Sequence, residues 1–336
     1  MHGMNTIKTL TVRAVVCALV MCAPAGSPAG AMGQTTAIAP GSRVMLDAHN
    51  AYPYNGKFAD RLDRALATGL PVAVEQDLIW LPATGATPAR SVVSHGAPFD
   101  GTEPSLKQYF FERIRPIVES ALRDRNTAQW PLITLNLDLK SNEPEHHQAL
   151  WALLGEYEAW LTTAVRTADG STAAPLDVKP VLVLTGSADA QEQSFHTQVP
   201  VGRKLRLFGA VQLRATPSNG PALAPITFPT ASNYRRWWNA PWSVVEAGGQ
   251  REAGEWTAAD AQRLTTLITG AHAAGLWVRM WTLNGSDDAT RTTNGWSAGY
   301  NFGSPEAARL RWQAAINARV DFVATDQYEL FATLRR

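Results

Sequence analysis

Cysteine is almost missing from this chain. Among 336 residues only Cys17 and Cys22 are cysteines. Both fall in a stretch where Lys8 and Arg13 precede the apolar run 14–22 and the small residues Ala29-Gly30-Ala31 follow. A basic start, an apolar middle and a small-residue end predict a secretory signal peptide over residues 1–31. The mature chain is then expected to carry no disulfide and no thiol chemistry, and to depend on its core for stability. Long apolar stretches are missing too. The leader's run is well short of the ~20 residues needed to span a bilayer, and none downstream is long enough. Met21 is bulky where a lipoprotein signal wants a small residue before the cysteine, which argues against anchoring through Cys22. The expected location is outside the cytoplasm, periplasmic or secreted. An excess of charge of one sign is also lacking, with 30 Lys and Arg against 29 Asp and Glu. With no basic run, nucleic acid is excluded as an expected partner.

What is present is the composition of a globular protein, 45% hydrophobic and 18% charged. After the leader, residues 32–43 read as a polar, proline-containing lead-in and residues 44–336 as a single domain. Short apolar runs at 44–46, 72–79, 132–139, 181–184, 205–213, 242–246, 276–283 and 322–325 read as strands. Helical spacing appears between them at 58–68, 106–122 and 145–165, and again after a Thr257-x-x-Asp260 capping box that leads to Gly275. The run 91–95 reads as the return of a loop hairpin. Eight strands separated mostly by helices or long connections predict a (β/α)8 TIM barrel, an α/β fold whose active site sits at the C-terminal ends of the strands.

Those ends carry the chemistry. In a strand, residues two apart share a face, so Glu75 and Asp77 point the same way and offer two oxygens to a divalent cation from one rigid element. His49 and His95 each close an apolar run. Asn136, Asp138 and Lys140 alternate with Leu135, Leu137 and Leu139 and face the opposite way from them. Arg279 and Trp281 share a face of a late strand.

In order along the chain, His49-Asn50-x-Tyr52, Glu75-x-Asp77, His95-Gly96 and Asp138-x-Lys140 resemble the phospholipase-C-like phosphodiesterase superfamily. Trp281-Thr282-Leu283-Asn284 and the segment from Val320 to Asp326 look like the last two strands of its glycerophosphodiester phosphodiesterase branch. Where that branch begins with His-Arg-Gly, this chain has His49-Asn50-Ala51, closer to the His-Asn-x-Tyr of phosphoinositide-specific phospholipases C. The resemblance implies that Glu75, Asp77, Asp138 and Asn50 hold one divalent cation, Ca²⁺ or Mg²⁺ given the hard oxygen donors. It implies further that His49 and His95 transfer protons and that Lys140 neutralises phosphate charge. Trp281 would wall the pocket, and Arg279 is a secondary candidate for substrate contact. The implied activity is that of a phosphoric diester hydrolase acting on a glycerophosphodiester, phosphoinositide or phospholipid headgroup, with peripheral membrane contact an option.

Plainer readings stand beside these. Asn50 after a strand is a common turn former, and Asp138 with Lys140 would also make an ordinary ion pair on a barrel rim. His146, His147, His196 and His272 lack such company; surface placement is expected for His146, His147 and His272, and none of the four is given a role. The aromatic and basic stretch from Tyr234 to Trp242 either grips a headgroup or membrane at the mouth or fills a satellite core. A catalytically silent barrel that binds a phosphorylated or sugar ligand is the rival function. A glycosidase fits less well, because it needs two carboxylates set across a cleft.

Overall fold

The structure, a computed structural model, describes residues 1, 38–54, 56–213, 225–246 and 254–335. The expected signal peptide lies outside the described residues apart from Met1, as does the first half of the lead-in, 32–37. Twelve strands occur among the described residues: β1 Met45–Ala48, β2 Val72–Leu81, β3 Arg90–Val93, β4 Ile133–Leu139, β5 Thr163–Val165, β6 Leu176–Asp177, β7 Val181–Thr185, β8 Lys204–Leu205, β9 Phe208–Ala210, β10 Arg235–Pro241, β11 Trp277–Trp281 and β12 Phe322–Thr325. Eight of them, β1, β2, β4, β7, β9, β10, β11 and β12, pair in parallel, and β1 pairs with both β2 and β12, so the sheet closes on itself. This is a (β/α)8 barrel. The strand β3 turns back antiparallel on the end of β2 and forms the expected hairpin outside the eight. No helix among the described residues is long and apolar enough to cross a membrane.

Alternation along each strand sorts the side chains into two environments. Leu46, Val74, Leu135, Val183, Val278 and Val323 face outward into the core under the helices. Their neighbours Met45, Ala73, Leu182, Phe208, Trp237, Trp277 and Phe322 fill the lumen as a separate apolar plug. Each large side chain buried in this way contributes roughly 1.5–3 kcal/mol relative to exposure. One step further along the same faces the plug gives way to polar and charged groups, with Asp47, Glu75, Asn136 and Arg279 all 4% exposed or less. The apolar half of the lumen is thus a dry floor for a polar half.

Three expected elements take other forms. The sixth barrel strand is β10 at Arg235–Pro241, and Trp242–Val244 is a short 3-10 turn. Two arginines had disguised a strand whose faces alternate properly. Trp237 points into the lumen plug and Trp238 into the outer core. Arg235 ties to Glu192 and to the Ala210 carbonyl, while Arg236 lies 4.8 Å from the Phe208 ring. Tyr234, Trp237, Trp238 and Trp242 are all buried, so the aromatic side chains of this stretch are core. The expected strand 205–213 is divided between β8 in a small outer sheet and β9 in the barrel. The long expected helix stops at Glu156, and Thr163–Val165 joins the small sheet instead. Gly209 on β9 is required by packing, since a Cβ there would lie 2.3 Å from the Tyr234 ring.

Candidate active site

The C-terminal mouth of the barrel holds a cavity of about 140 Å³ whose lining includes His49, Asn50, Glu75, Asp77, His95, Asp138, Lys140, Arg279 and Trp281. Every residue singled out at the strand ends therefore faces one space. A larger concavity of about 800 Å³ lies elsewhere, bordered by His147, Trp151 and Arg206. None of the strand-end residues reaches it, so size does not mark the site in this barrel.

The acids form the centre. In the parallel register of β2 and β4, Glu75 lies opposite Asn136 and Asp77 opposite Asp138. One carboxylate oxygen from each of Glu75, Asp77 and Asp138 falls within 4.8 Å of the others. Asp77 is 1% exposed, and its Oδ1 is buried with no hydrogen-bond partner. Burial, with Glu75 and Asp138 adding to it, pushes the Asp77 carboxyl well above the usual range. The Lys140 ammonium sits 3.0 Å from Asp77 and 2.6 Å from Asp138 and bridges these two acids. Burial opposes its charge, but the two aspartates hold it protonated.

Three carboxylates converge here, with one buried Asp77 oxygen lacking a donor and the other facing only Lys140, and a hard divalent cation satisfies such a demand. Donor type and clustering fit Ca²⁺ or Mg²⁺. An ion there competes with Lys140 for Asp77 and Asp138.

His49 is buried between two acids, with Nε2 3.4 Å from Glu75 and Nδ1 3.4 Å from Asp326. Burial disfavours its charge, but Glu75 and Asp326 outweigh that and raise its pKa to about 9. Glu75 is correspondingly lowered: burial acts upward, while His49, Arg279 and the Asn50 backbone N–H act downward and prevail. The His49 carbonyl accepts from the Tyr328 hydroxyl at 2.6 Å, and Asn284 donates to Asp326. The ring is thereby fixed from behind. His95, exposed on the rim after β3, behaves in the opposite sense, because partial burial and then Lys140 lower its pKa.

The folded pKa of His49 lies above its unfolded value of 6.5, so its contribution to stability is complete below pH 6.5 and is lost as pH rises toward 9. Chelator-treated protein is expected to show a Tm that declines across that window, and His49→Gln to flatten the decline. A Tm that rises with pH there in the histidine-containing protein contradicts this assignment.

Several residues have other occupations than the sequence suggested. Asn50 adopts a left-handed backbone, φ 54°, which asparagine tolerates better than most residues. Its side-chain oxygen accepts from Tyr52 at 2.6 Å, and its amide nitrogen lies 2.8 Å from Asp326 and 2.7 Å from His49 Nδ1. Its backbone N–H donates to Glu75. Asn50 therefore braces Asp326, the acid beside His49, and its side-chain oxygen is engaged with Tyr52. Arg279 is 2% exposed and spends its guanidinium on Asp47, Glu75 and Asn239, so it is a structural counter-ion rather than a free phosphate contact.

His146 and His147 are buried, not on the surface. The Nε2 of His146 lies 2.9 Å from the Ser91 hydroxyl on β3, and its Nδ1 3.0 Å from the hydroxyl of Ser141 beside Lys140. That ring ties the hairpin leading to His95 to the strand end that carries Lys140. His196 is also buried, against Asn233. His272 is partly covered and pairs with Asp321 at 2.8 Å.

Two residues of the site were not foreseen. Asp326 follows β12 on the lumen phase of Phe322 and Ala324, a signal that alternation carries. Tyr300 comes from the segment after β11 and sets its ring edge-on to both His49 and Trp281, at 5.5 and 5.6 Å. No spacing in the sequence announces it.

With this geometry in place, the chain can be compared with known proteins. It is similar to a phospholipase C. The solved structure is a calcium-dependent phosphoinositol-specific phospholipase C from a Gram-negative bacterium, Pseudomonas sp., in apo form and myoinositol complex. The similarity covers 88% of this chain and 93% of that one at 14% identity, with a TM-score of 0.44. No family model matches the chain, and no curated protein matches it. The closed barrel rests on the chain's own strand pairing.

Proposed function

We propose that the protein is a metal-dependent phosphoric diester hydrolase acting on a small hydroxylated headgroup of the glycerol or inositol type. One observation carries the reading: two imidazoles of opposite electrostatic bias, His49 and His95, share a barrel-mouth cavity with three converging carboxylates and one lysine.

The two rings divide the work. His95 is neutral near pH 7 and accepts the proton of the attacking hydroxyl, which belongs to water or to the headgroup itself. His49 is held as imidazolium by Glu75 and Asp326 and returns a proton to the departing oxygen. Lys140 offsets phosphate charge. Glu75, Asp77 and Asp138 are the residues that would hold the cation, which when bound supplies Lewis-acid stabilisation of a phosphoryl oxygen. Trp281 and Tyr300 present an aromatic corner, 89° between rings, against which the C–H face of a polyol packs. Asn50, Asp326 and Arg279 support these groups from behind.

Lys140 between Asp77 and Asp138 favours the rival in which the ammonium replaces the ion and the barrel binds a phosphorylated ligand without turnover. A panel of glycerol- and inositol-type phosphodiesters, assayed with Ca²⁺, with Mg²⁺ and with excess chelator, separates the two. The expected result is product release that chelator abolishes and the ion restores. Tight binding of a phosphorylated polyol with no release from any diester would establish the rival instead.

A further inference from the structure

We infer that Asn136, and not Asn50, supplies the amide oxygen of the cation site. The inference rests on the proposed cation role of Glu75, Asp77 and Asp138. A hard cation wants more oxygens than three carboxylates supply through single atoms, and an asparagine carbonyl is an ordinary further ligand for Ca²⁺. Three asparagines line the cavity, Asn50, Asn136 and Asn239, and the Asn239 oxygen already accepts from Arg279 at 3.2 Å.

Asn50 is already engaged at both ends of its side chain. Its oxygen holds the Tyr52 hydroxyl, its nitrogen lies against Asp326 and His49, and its strained backbone is anchored by an N–H to Glu75. Freeing that oxygen would break the hydrogen bond from Tyr52.

Asn136 is in the opposite state. It sits on β4 directly across from Glu75 and two residues before Asp138, on the lumen face of a rigid strand. It is 4% exposed and lines the same cavity. Its carboxamide takes part in no hydrogen bond with another described residue, and its nitrogen is fully buried without a partner. The amide oxygen is therefore uncommitted and available to a ligand in the cavity. Glu75, Asp77, Asp138 and Asn136 line one cavity from two adjacent strands. The ion has to take Asp77 and Asp138 from Lys140, and a fourth neutral oxygen helps it do so without adding charge.

Calorimetric titration of Ca²⁺ and of Mg²⁺ into the full chain tests this without reference to turnover. Asn136→Ala is expected to weaken the better-bound ion by about tenfold or more, and Asn50→Ala to leave its affinity within about threefold. Asn136→Asp keeps an oxygen at the same position, and is expected to bind the ion at least as tightly as the parent. It also guards against an alanine variant that does not fold. An Asn136→Ala protein with parental affinity, an Asn50→Ala protein that loses as much as Asn136→Ala, or a folded Asn136→Asp protein that no longer binds each overturns the assignment while leaving the three-acid site standing. If the parent binds neither ion, the cation reading itself falls, and the assignment with it.

Discussion

Replacing His49 or His95 by alanine is expected to lower phosphodiester hydrolysis by about a thousandfold, the middle of the range for a general acid or base. The two losses should differ in character. With the parent, the rate should climb as His95 loses its proton, at a pKa held below 6.5 by partial burial and by Lys140. It should fall again as His49 loses its own, at about 9 in the metal-free site and lower once an ion occupies Glu75 and Asp77. The residual activity of His95→Ala should therefore keep only the alkaline limb, and that of His49→Ala only the acid limb. His95 is exposed and its removal should leave the Tm unchanged, whereas His49 is buried between Glu75 and Asp326, and its removal leaves two acids facing each other. Added imidazole should restore part of the His49→Ala activity. Full activity in either variant, or both limbs surviving in both, is incompatible with the division of labour argued above.

The sequence made the barrel and its polar mouth legible for one reason: in a closed parallel sheet, alternate residues of every strand enter the same lumen. Met45, Asp47 and His49 do so on the first strand, Ala73, Glu75 and Asp77 on the second, and Trp277, Arg279 and Trp281 on the seventh. Counting by two was enough to place the site residues together. It was not enough to say which of them face one another. Asp47 and Arg279 are 232 positions apart, and only closure makes them an ion pair. Asn50 was out of reach for another reason, since its side chain is claimed by Tyr52, Asp326 and His49 together. Strand β10 was concealed because Arg235 and Arg236 break the apolar pattern, although each folds its stem back and finds a carbonyl or a carboxylate. His146 looked like a surface residue at a helix start, because the serines that enclose it arrive from β3 and from the end of β4. Each miss is a partner supplied by tertiary structure that local periodicity does not contain.

The same closure predicts the largest stability effect, at Arg279. Its guanidinium is 2% exposed and binds Asp47 and Glu75, themselves 1% and 4% exposed. Burial disfavours all three charges, and it is the arginine that keeps the two acids tolerable, since burial by itself moves Asp47 upward. A buried pair is weak as a net source of stability, yet removing one partner alone strands the other at a cost of about 3–5 kcal/mol. Arg279→Met should lose about that much in urea unfolding at neutral pH. Asp47→Asn combined with Arg279→Met should recover part of it, because one stranded charge is gone. The loss should also shrink as pH falls and the stranded carboxylates take up protons. An Arg279→Met protein destabilised by less than about 1 kcal/mol, the scale of an exposed pair, would mean that the guanidinium is not the counter-ion of this lumen. It would then return to the candidates for phosphate contact.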